Sequence, residues 1–184
     1  MARTLSAMSA LNTTAPDFIL PDTVTGTQIT LKDSRGETAT VVMFICNHCP
    51  FVKHVNEELV KLANDYSKKE IAFVAISSND ATNYPEDSPE FMKEMAQHLK
   101  YPFPYLYDET QRVAKDYQAA CTPDFFIYNK NLLLVYRGQL DESRPGNGIP
   151  VTGIDIRHAL DCLLNSEPVP KLQRPSIGCN IKWK

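Results

Sequence analysis

The chain has 184 residues, of which 43% are hydrophobic, 22% charged and 9% aromatic. This suits one compact domain over 1–184, with length for a core and little left for a second domain. Nineteen Lys and Arg against 22 Asp and Glu give a formal net charge of −3 without any basic block, so no nucleic-acid partner is expected. The longest apolar runs, Val41–Cys46 and Leu132–Tyr136, fall far short of the roughly 20 residues a membrane helix needs, and no membrane partner is expected.

The opening MARTLSAMSALNTTAPDF lacks the apolar run of a signal peptide, and a cytoplasmic location is expected. Residues 1–15 are small and polar and read as a loose N-terminal tail. Phe18–Leu20 and Gln28–Leu31 flank Asp22-Thr-Val-Thr-Gly26, the pattern of a β-hairpin with a glycine-containing turn. Ala39–Cys46 is β-branched and aromatic without alternation, as a strand buried on both faces would be. It runs into Asn47-His48-Cys49-Pro50 and then into apolar positions at 51, 52, 55, 59, 62, 63 and 66, an amphipathic helix reaching about Lys68. Ile71–Ser77 is a second buried strand, and strand–helix–strand with short joints makes a parallel βαβ unit.

Ser78–Ser88 is a polar loop whose Glu86-Asp87 pair reads as solvent-exposed, and Ser88-Pro89 starts a helix that carries Phe91, Met92, Met95 and Leu99. Tyr105–Tyr107 is a short strand. Asp108-x-x-Gln111 opens a third helix to about Ala119 in the manner of a capping box. Phe125–Tyr128 and Leu132–Arg137 form a hairpin around Asn129-Lys130-Asn131. Thr152–Asp155 caps a last helix with Ile156, Ala159, Leu160 and Leu163 facing in, and 166–184 is a C-terminal tail. The fold class is α/β: a central mixed β-sheet with helices on both faces, an N-terminal β-hairpin and a C-terminal tail.

Five cysteines, at 46, 49, 121, 162 and 179, are an odd count. In a reducing compartment such thiols serve as metal ligands, redox groups or plain core residues rather than as a static disulfide framework. Cys46 ends a buried strand and Cys49 begins a helix. A thiol there meets unsatisfied backbone N–H groups and the positive end of the helix dipole, which lower its pKa. Pro50 has no N–H to lose and fits the first helical position, so Cys49 becomes the cap and lies nearest the dipole. His48 adds an imidazole that stabilises a thiolate when protonated. Zinc sites pair a Cys-x-x-Cys with a second close pair, and none is present, so no metal is expected at the pair.

Cys46-Asn-His-Cys49 at a strand-to-helix joint, followed by Thr122-Pro123 before a later hairpin, resembles the thioredoxin-like superfamily. The N-terminal hairpin and long insertion resemble its alkyl hydroperoxide reductase/thiol-specific antioxidant (peroxiredoxin-like) branch, over roughly residues 15–165. The resemblance implies a cis Pro123, with the Thr122 backbone offered to a substrate strand beside the sulfurs. It implies an enzyme without a bound cofactor. Its substrates would be protein or small-molecule disulfides or hydroperoxides, with an external thiol as reductant. Two departures stand out. Ile45 replaces the usual thioredoxin Trp, and Cys46 occupies the place of the peroxiredoxin Thr. The Cys-Pro step puts Cys49 nearest the helix dipole, but in the families resembled the first cysteine is the exposed one, and Cys46 is therefore the preferred first attacker.

Catalysis therefore rests on Cys46 and Cys49, tuned by Asn47, His48 and Pro50, with Thr122 and Pro123 on the substrate side. Cys121 and Cys179 are possible extra thiols. Cys121 also reads as a small core residue, and Cys179 as an accessible thiol in the tail. The preferred activity is thiol–disulfide exchange; a peroxidase using Cys49 and a metal-binding module using the pair with His48 or Cys121 are the alternatives. Cys162 belongs to the core face of the last helix, and His54, His98 and His158 to solvated surfaces.

Overall fold

The computed structural model describes residues 3–184; the first two residues of the expected N-terminal tail lie outside the described residues. In chain order the elements are β1 (Arg3–Leu5), β2 (Ile19–Pro21), β3 (Gln28–Thr30), β4 (Ala39–Phe44), α1 (Pro50–Tyr66), β5 (Ile71–Ser77), α2 (Pro89–Leu99), β6 (Tyr105–Tyr107), α3 (Arg112–Asp116), β7 (Cys121–Thr122), β8 (Asp124–Asn129), β9 (Leu134–Gly138), α4 (Ile154–Leu164) and β10 (Ile177–Asn180).

The central sheet has the order β6-β5-β4-β8-β9. β5 runs parallel to both β4 and β6, whereas β8 is antiparallel to β4 and to β9. β4 is therefore enclosed by strands on both edges, and every one of its residues is buried. That is why it reads as a continuous apolar run: neither face meets water. Val41 and Met43 point into one core with the α1, α2 and α4 side chains Leu59, Leu62, Met92 and Leu160. Val42 and Phe44 point into the other, with Leu20, Leu31, Val74, Ile76 and Tyr117. Phe44 meets Phe126 edge-on with ring centroids 5.9 Å apart and tilts against Tyr117 at 5.6 Å, geometries that add to area burial.

The third helix is shorter than its sequence pattern. Gln111 adopts a left-handed φ of 62° and cannot serve as the third residue of a helix. Its side chain donates instead to the Ser78 and Lys182 carbonyls. Asp108 still caps, accepting from the Ala114 N–H at 3.0 Å. In α2 the Phe91 ring is exposed rather than inward, and Met92 and Ala96 carry the buried face. The last helix starts after Gly153, with the Thr152 and Gly153 N–H groups both bonded to Asp141 at 2.7 Å.

The largest difference from the sequence reading is at the C-terminus. Within 166–184, residues Ile177–Asn180 form β10, the middle strand of a separate three-stranded antiparallel sheet ordered β1-β10-β7. This sheet draws Arg3–Leu5 and the end of the chain onto the strand that precedes Pro123. No helix is long and apolar enough to cross a membrane among the described residues.

Candidate active site

The turn from β4 into α1 places the Cys-x-x-Cys pair. After Phe44 the chain stays on the sheet for one more bond, Ile45 N–H to the Ile76 carbonyl at 3.0 Å, and then leaves it. Cys49 is extended (φ −67°, ψ 121°) and caps α1 by its backbone: its carbonyl accepts from Val52 and Lys53 at 3.1 and 3.0 Å. Pro50 takes the first helical position, as its missing N–H allows.

Both sulfurs converge on Thr122. Cys46 Sγ lies 3.3 Å from the Thr122 hydroxyl, and the Cys49 thiol donates to the Thr122 carbonyl at 3.2 Å. The Thr122–Pro123 bond is cis. The pair is not open to water: Cys46 is 2% exposed and Cys49 not at all. This corrects the expectation of an exposed first cysteine: Thr122 of β7 lies against both sulfurs, and Cys179 of β10 hydrogen-bonds Cys49. Cys121, also fully buried, points its thiol at the Pro123 carbonyl 3.7 Å away. Burial pushes its pKa far up, the behaviour of a core residue. Cys179 corrects the expectation of an accessible tail thiol. It is 1% exposed and sits opposite Thr122 in the β7–β10 pairing.

The electrostatics separate the two sulfurs. Cys49 is drawn down to about 5, first by the hydrogen bond from Cys46, then, against the cost of burial, by Cys179, the Val52 N–H and Thr122. Cys46 is pushed well up, by the same bond to Cys49 and by burial, with the Asp87 charge adding. A thiolate accepting from four donors is stabilised, and the sulfur that donates to it is held protonated. The Thr122 carbonyl can only accept and opposes ionisation of Cys49, but the donors outnumber it. The electrostatics thus choose Cys49 as the anion, the sulfur nearest the helix dipole.

The loop between the sulfurs is organised by a residue the sequence reading left in solvent. Asp87 is fully buried. Its Oδ1 accepts the Asn47 and His48 N–H groups at 2.8 and 3.1 Å, and its Oδ2 accepts from Asn79 Nδ2 at 2.8 Å and pairs with His48 Nδ1 at 2.5 Å. Burial opposes charge on Asp87, yet His48 and Asn79 hold its pKa below the ordinary value. In return Asp87 raises the pKa of His48. The imidazole stacks on Tyr84 with centroids 5.4 Å apart, and its Nε2 is buried without a partner among the described residues. Asn47 donates to the Glu86 carbonyl and accepts from the Tyr105 hydroxyl. Pairing a buried Asp87 with loop N–H groups is a signal that only the tertiary structure carries.

Cys46, His48 and Asp87 bring one ligand atom each within 4.8 Å of one another. Four internal donors already claim the Asp87 oxygens, and one of them is His48 Nδ1. The cluster fits a hydrogen-bond network better than a metal cradle. His54 turns away to Ser143, bonded at 2.7 Å. Asp124, next to Pro123, is also buried, which raises its pKa to about 8; its Oδ1 has no partner among the described residues.

Comparison with known proteins agrees with this architecture. Residues 11–139 match the model of the AhpC/TSA family. A crystal structure of an uncharacterized conserved protein from Geobacillus kaustophilus is 63% identical, covers 100% of this chain and 97% of that chain, and superposes with a TM-score of 0.99. A hypothetical protein from Sinorhizobium meliloti 1021 is 49% identical over 98% of each chain, with a TM-score of 0.96. The thioredoxin domain of a thiol-disulfide oxidoreductase from Bacteroides vulgatus shares the fold at 19% identity and a TM-score of 0.60, covering 74% of this chain and 90% of that one. None of the curated proteins matches the chain in sequence. The chain belongs to the AhpC/TSA family, with a thioredoxin-like fold and the activity of a thiol oxidoreductase or thiol-dependent peroxidase.

Proposed function

We propose that the protein is a thiol–disulfide oxidoreductase in which Cys49 attacks and Cys46 resolves. The observation that carries this reading is the convergence of the two sulfurs on Thr122, with Cys46 donating to Cys49 at the N-terminus of α1. The Cys49 thiolate attacks one sulfur of a substrate disulfide, forming a mixed disulfide and releasing the other half as a thiolate that takes up a proton. Cys46 then attacks Cys49, its proton passes to the departing thiolate, and the Cys46–Cys49 disulfide remains for an external thiol to reduce. The Asp87 network fixes Asn47 and His48 so that the loop holds both sulfurs in place. Thr122 and Pro123 form the edge beside them. We place this activity in a single thioredoxin-like domain over 1–184, working in a reducing, cytoplasmic compartment.

Reduction of insulin disulfides by wild type, Cys49→Ser and Cys46→Ser tests the assignment. Loss of turnover in Cys49→Ser is expected, with Cys49 still taking up substrate sulfur in Cys46→Ser but no Cys46–Cys49 disulfide formed. Equal rates in all three proteins sink it.

Burial of the pair favours one second reading, because a small hydroperoxide needs less room than a protein disulfide. Cys49 would then be oxidised to a sulfenic acid while the peroxide leaves as an alcohol or water. Cys46 would close the disulfide with loss of water. Stopped-flow consumption of hydrogen peroxide no faster than by free cysteine excludes it.

A further inference from the structure

The outer edge of Thr122 is already taken, by the chain's own C-terminus. β10 pairs antiparallel with β7, setting Cys179 opposite Thr122 and Asn180 opposite Cys121. Thr122 is the residue whose carbonyl accepts from Cys49 and whose hydroxyl touches Cys46. Under the reading above, this edge is where a substrate strand lies, so β10 stands in the place of a substrate and Cys179 in the place of its reactive sulfur. Cys49 and Cys179 share one buried cluster, and the Cys179 thiol hydrogen-bonds Cys49.

The seat is shaped for this strand. A Cβ on Gly178 would stand 2.1 Å from the Thr122 carbonyl oxygen and 2.6 Å from its carbon, backbone atoms that cannot swing aside. Only glycine lets the strand approach so closely. On its far edge β10 is paired to β1, Thr4 facing Gly178. Beyond it the Lys182 N–H donates to Asn79 Oδ1 at 2.8 Å, and the same Asn79 donates to Asp87. One side chain therefore ties the C-terminal segment to the loop that carries the sulfurs.

We infer that β10 is a resident occupant of the substrate edge and that Cys179 is a third redox-active residue, which forms a disulfide with Cys49 once Cys49 has reacted. The inference rests on the dithiol reading. The step is an exchange: Cys179 attacks Cys49 in its mixed disulfide, the bond to the substrate sulfur breaks, the Cys49–Cys179 bond forms, and the substrate half leaves as a thiol carrying the proton from Cys179. No further oxidant is consumed. Burial first, and then the ionised Cys49, hold Cys179 protonated. The part of that restraint due to Cys49 ends when Cys49 becomes a disulfide, which eases deprotonation of Cys179 as its target appears.

The test uses full-length Cys46→Ser, which removes the competing resolving thiol, treated with oxidised glutathione, then alkylated and mapped by peptide mass. A Cys49–Cys179 disulfide with loss of the glutathione adduct is expected, and in Cys46→Ser/Cys179→Ser the adduct should persist on Cys49. A persistent adduct in Cys46→Ser, with Cys179 still open to alkylation after denaturation, overturns the role of Cys179. Wild type would in that case still form Cys46–Cys49. Absence of any adduct or disulfide at Cys49 in every variant overturns the dithiol reading, and this inference with it. Gly178→Ala in the Cys46→Ser background checks the seat separately: the displaced strand should leave the adduct unresolved, and a Cys49–Cys179 yield equal to that of Cys46→Ser overturns resident docking.

Discussion

Truncating Cys46 to Ala should move the ionisation of Cys49. The Cys46 thiol is the leading donor to a sulfur whose pKa lies at about 5. A hydrogen bond to a charged group contributes ~1.5–3 kcal/mol, which is about one to two pKa units. The Cys49 midpoint in Cys46→Ala is therefore expected at roughly 6–7, and at about pH 6 its thiolate fraction falls from ~90% to between ~10% and ~50%. Thiolate ultraviolet absorbance against pH reads this directly. The other cysteines do not interfere, because Cys121 and Cys162 are raised and Cys179 is pushed up to about 12. Stability should follow. The folded pKa of Cys49 lies below the 9.0 of a free thiol. Its contribution is present above that value and is lost as pH falls through about 5. An unchanged midpoint in Cys46→Ala, or a wild-type midpoint at the ordinary thiol value, refutes the assignment of Cys49 as the anion.

Asp87→Asn turns an acceptor of four bonds into a group that must point an amide N–H₂ at some of its own donors, and should cost roughly 1–3 kcal/mol of stability in denaturant titration. The same variant should lower the His48 midpoint in proton NMR, because Asp87 is the main cause of its rise. Asp124→Asn addresses the opposite sign. A carboxyl raised from 3.8 to about 8 contributes stability that is present below 3.8 and lost as pH rises through about 8. The variant should gain relative to wild type across that window, and a pH-independent difference in ΔG argues against a neutral buried carboxyl. Cys162→Ser should leave insulin reduction at the wild-type rate, since Cys162 lies on α4, outside the contacts of the pair.

What the sequence exposed was the local chemistry. Val41–Cys46 reads as a buried strand because both its faces are apolar, and Pro50 reads as a helix start because only there does its missing N–H cost nothing. Thr122-Pro123 was legible through resemblance rather than periodicity. Asp87 was not legible: a Glu-Asp pair in a polar loop is solvated in most chains. Its burial depends on backbone N–H groups 40 positions away (Asn47) that the loop must fold back to meet. Gln111 defeated the capping-box pattern by spending its side chain on Ser78 and on Lys182, a partner 71 residues distant. β10 was missed for the same reason. Four residues with two small members in the middle carry no strand period of their own, and they become a strand only because β1 and β7 stand on either side.

These long-range closures also decide how reactivity and burial coexist at the pair. A helix N-terminus by itself lowers a thiol pKa in a site open to water, where screening weakens the effect. Here the covering strand removes water and replaces it with a donor, the Cys179 thiol, so the anion is stabilised by fixed partners rather than by solvent. The same strand bars large substrates from the sulfur it helps to ionise. On the proposed reading, a protein substrate must displace β10 from Thr122, giving up the pairing with Cys121 and Thr122 and the close seat of Gly178, before its own backbone can take that edge. Small disulfides and hydroperoxides need less room, although Cys49 itself is fully buried. On the proposed dithiol reading, variants that loosen the C-terminal strand should favour protein substrates and, by removing the Cys179 donor, raise the Cys49 pKa.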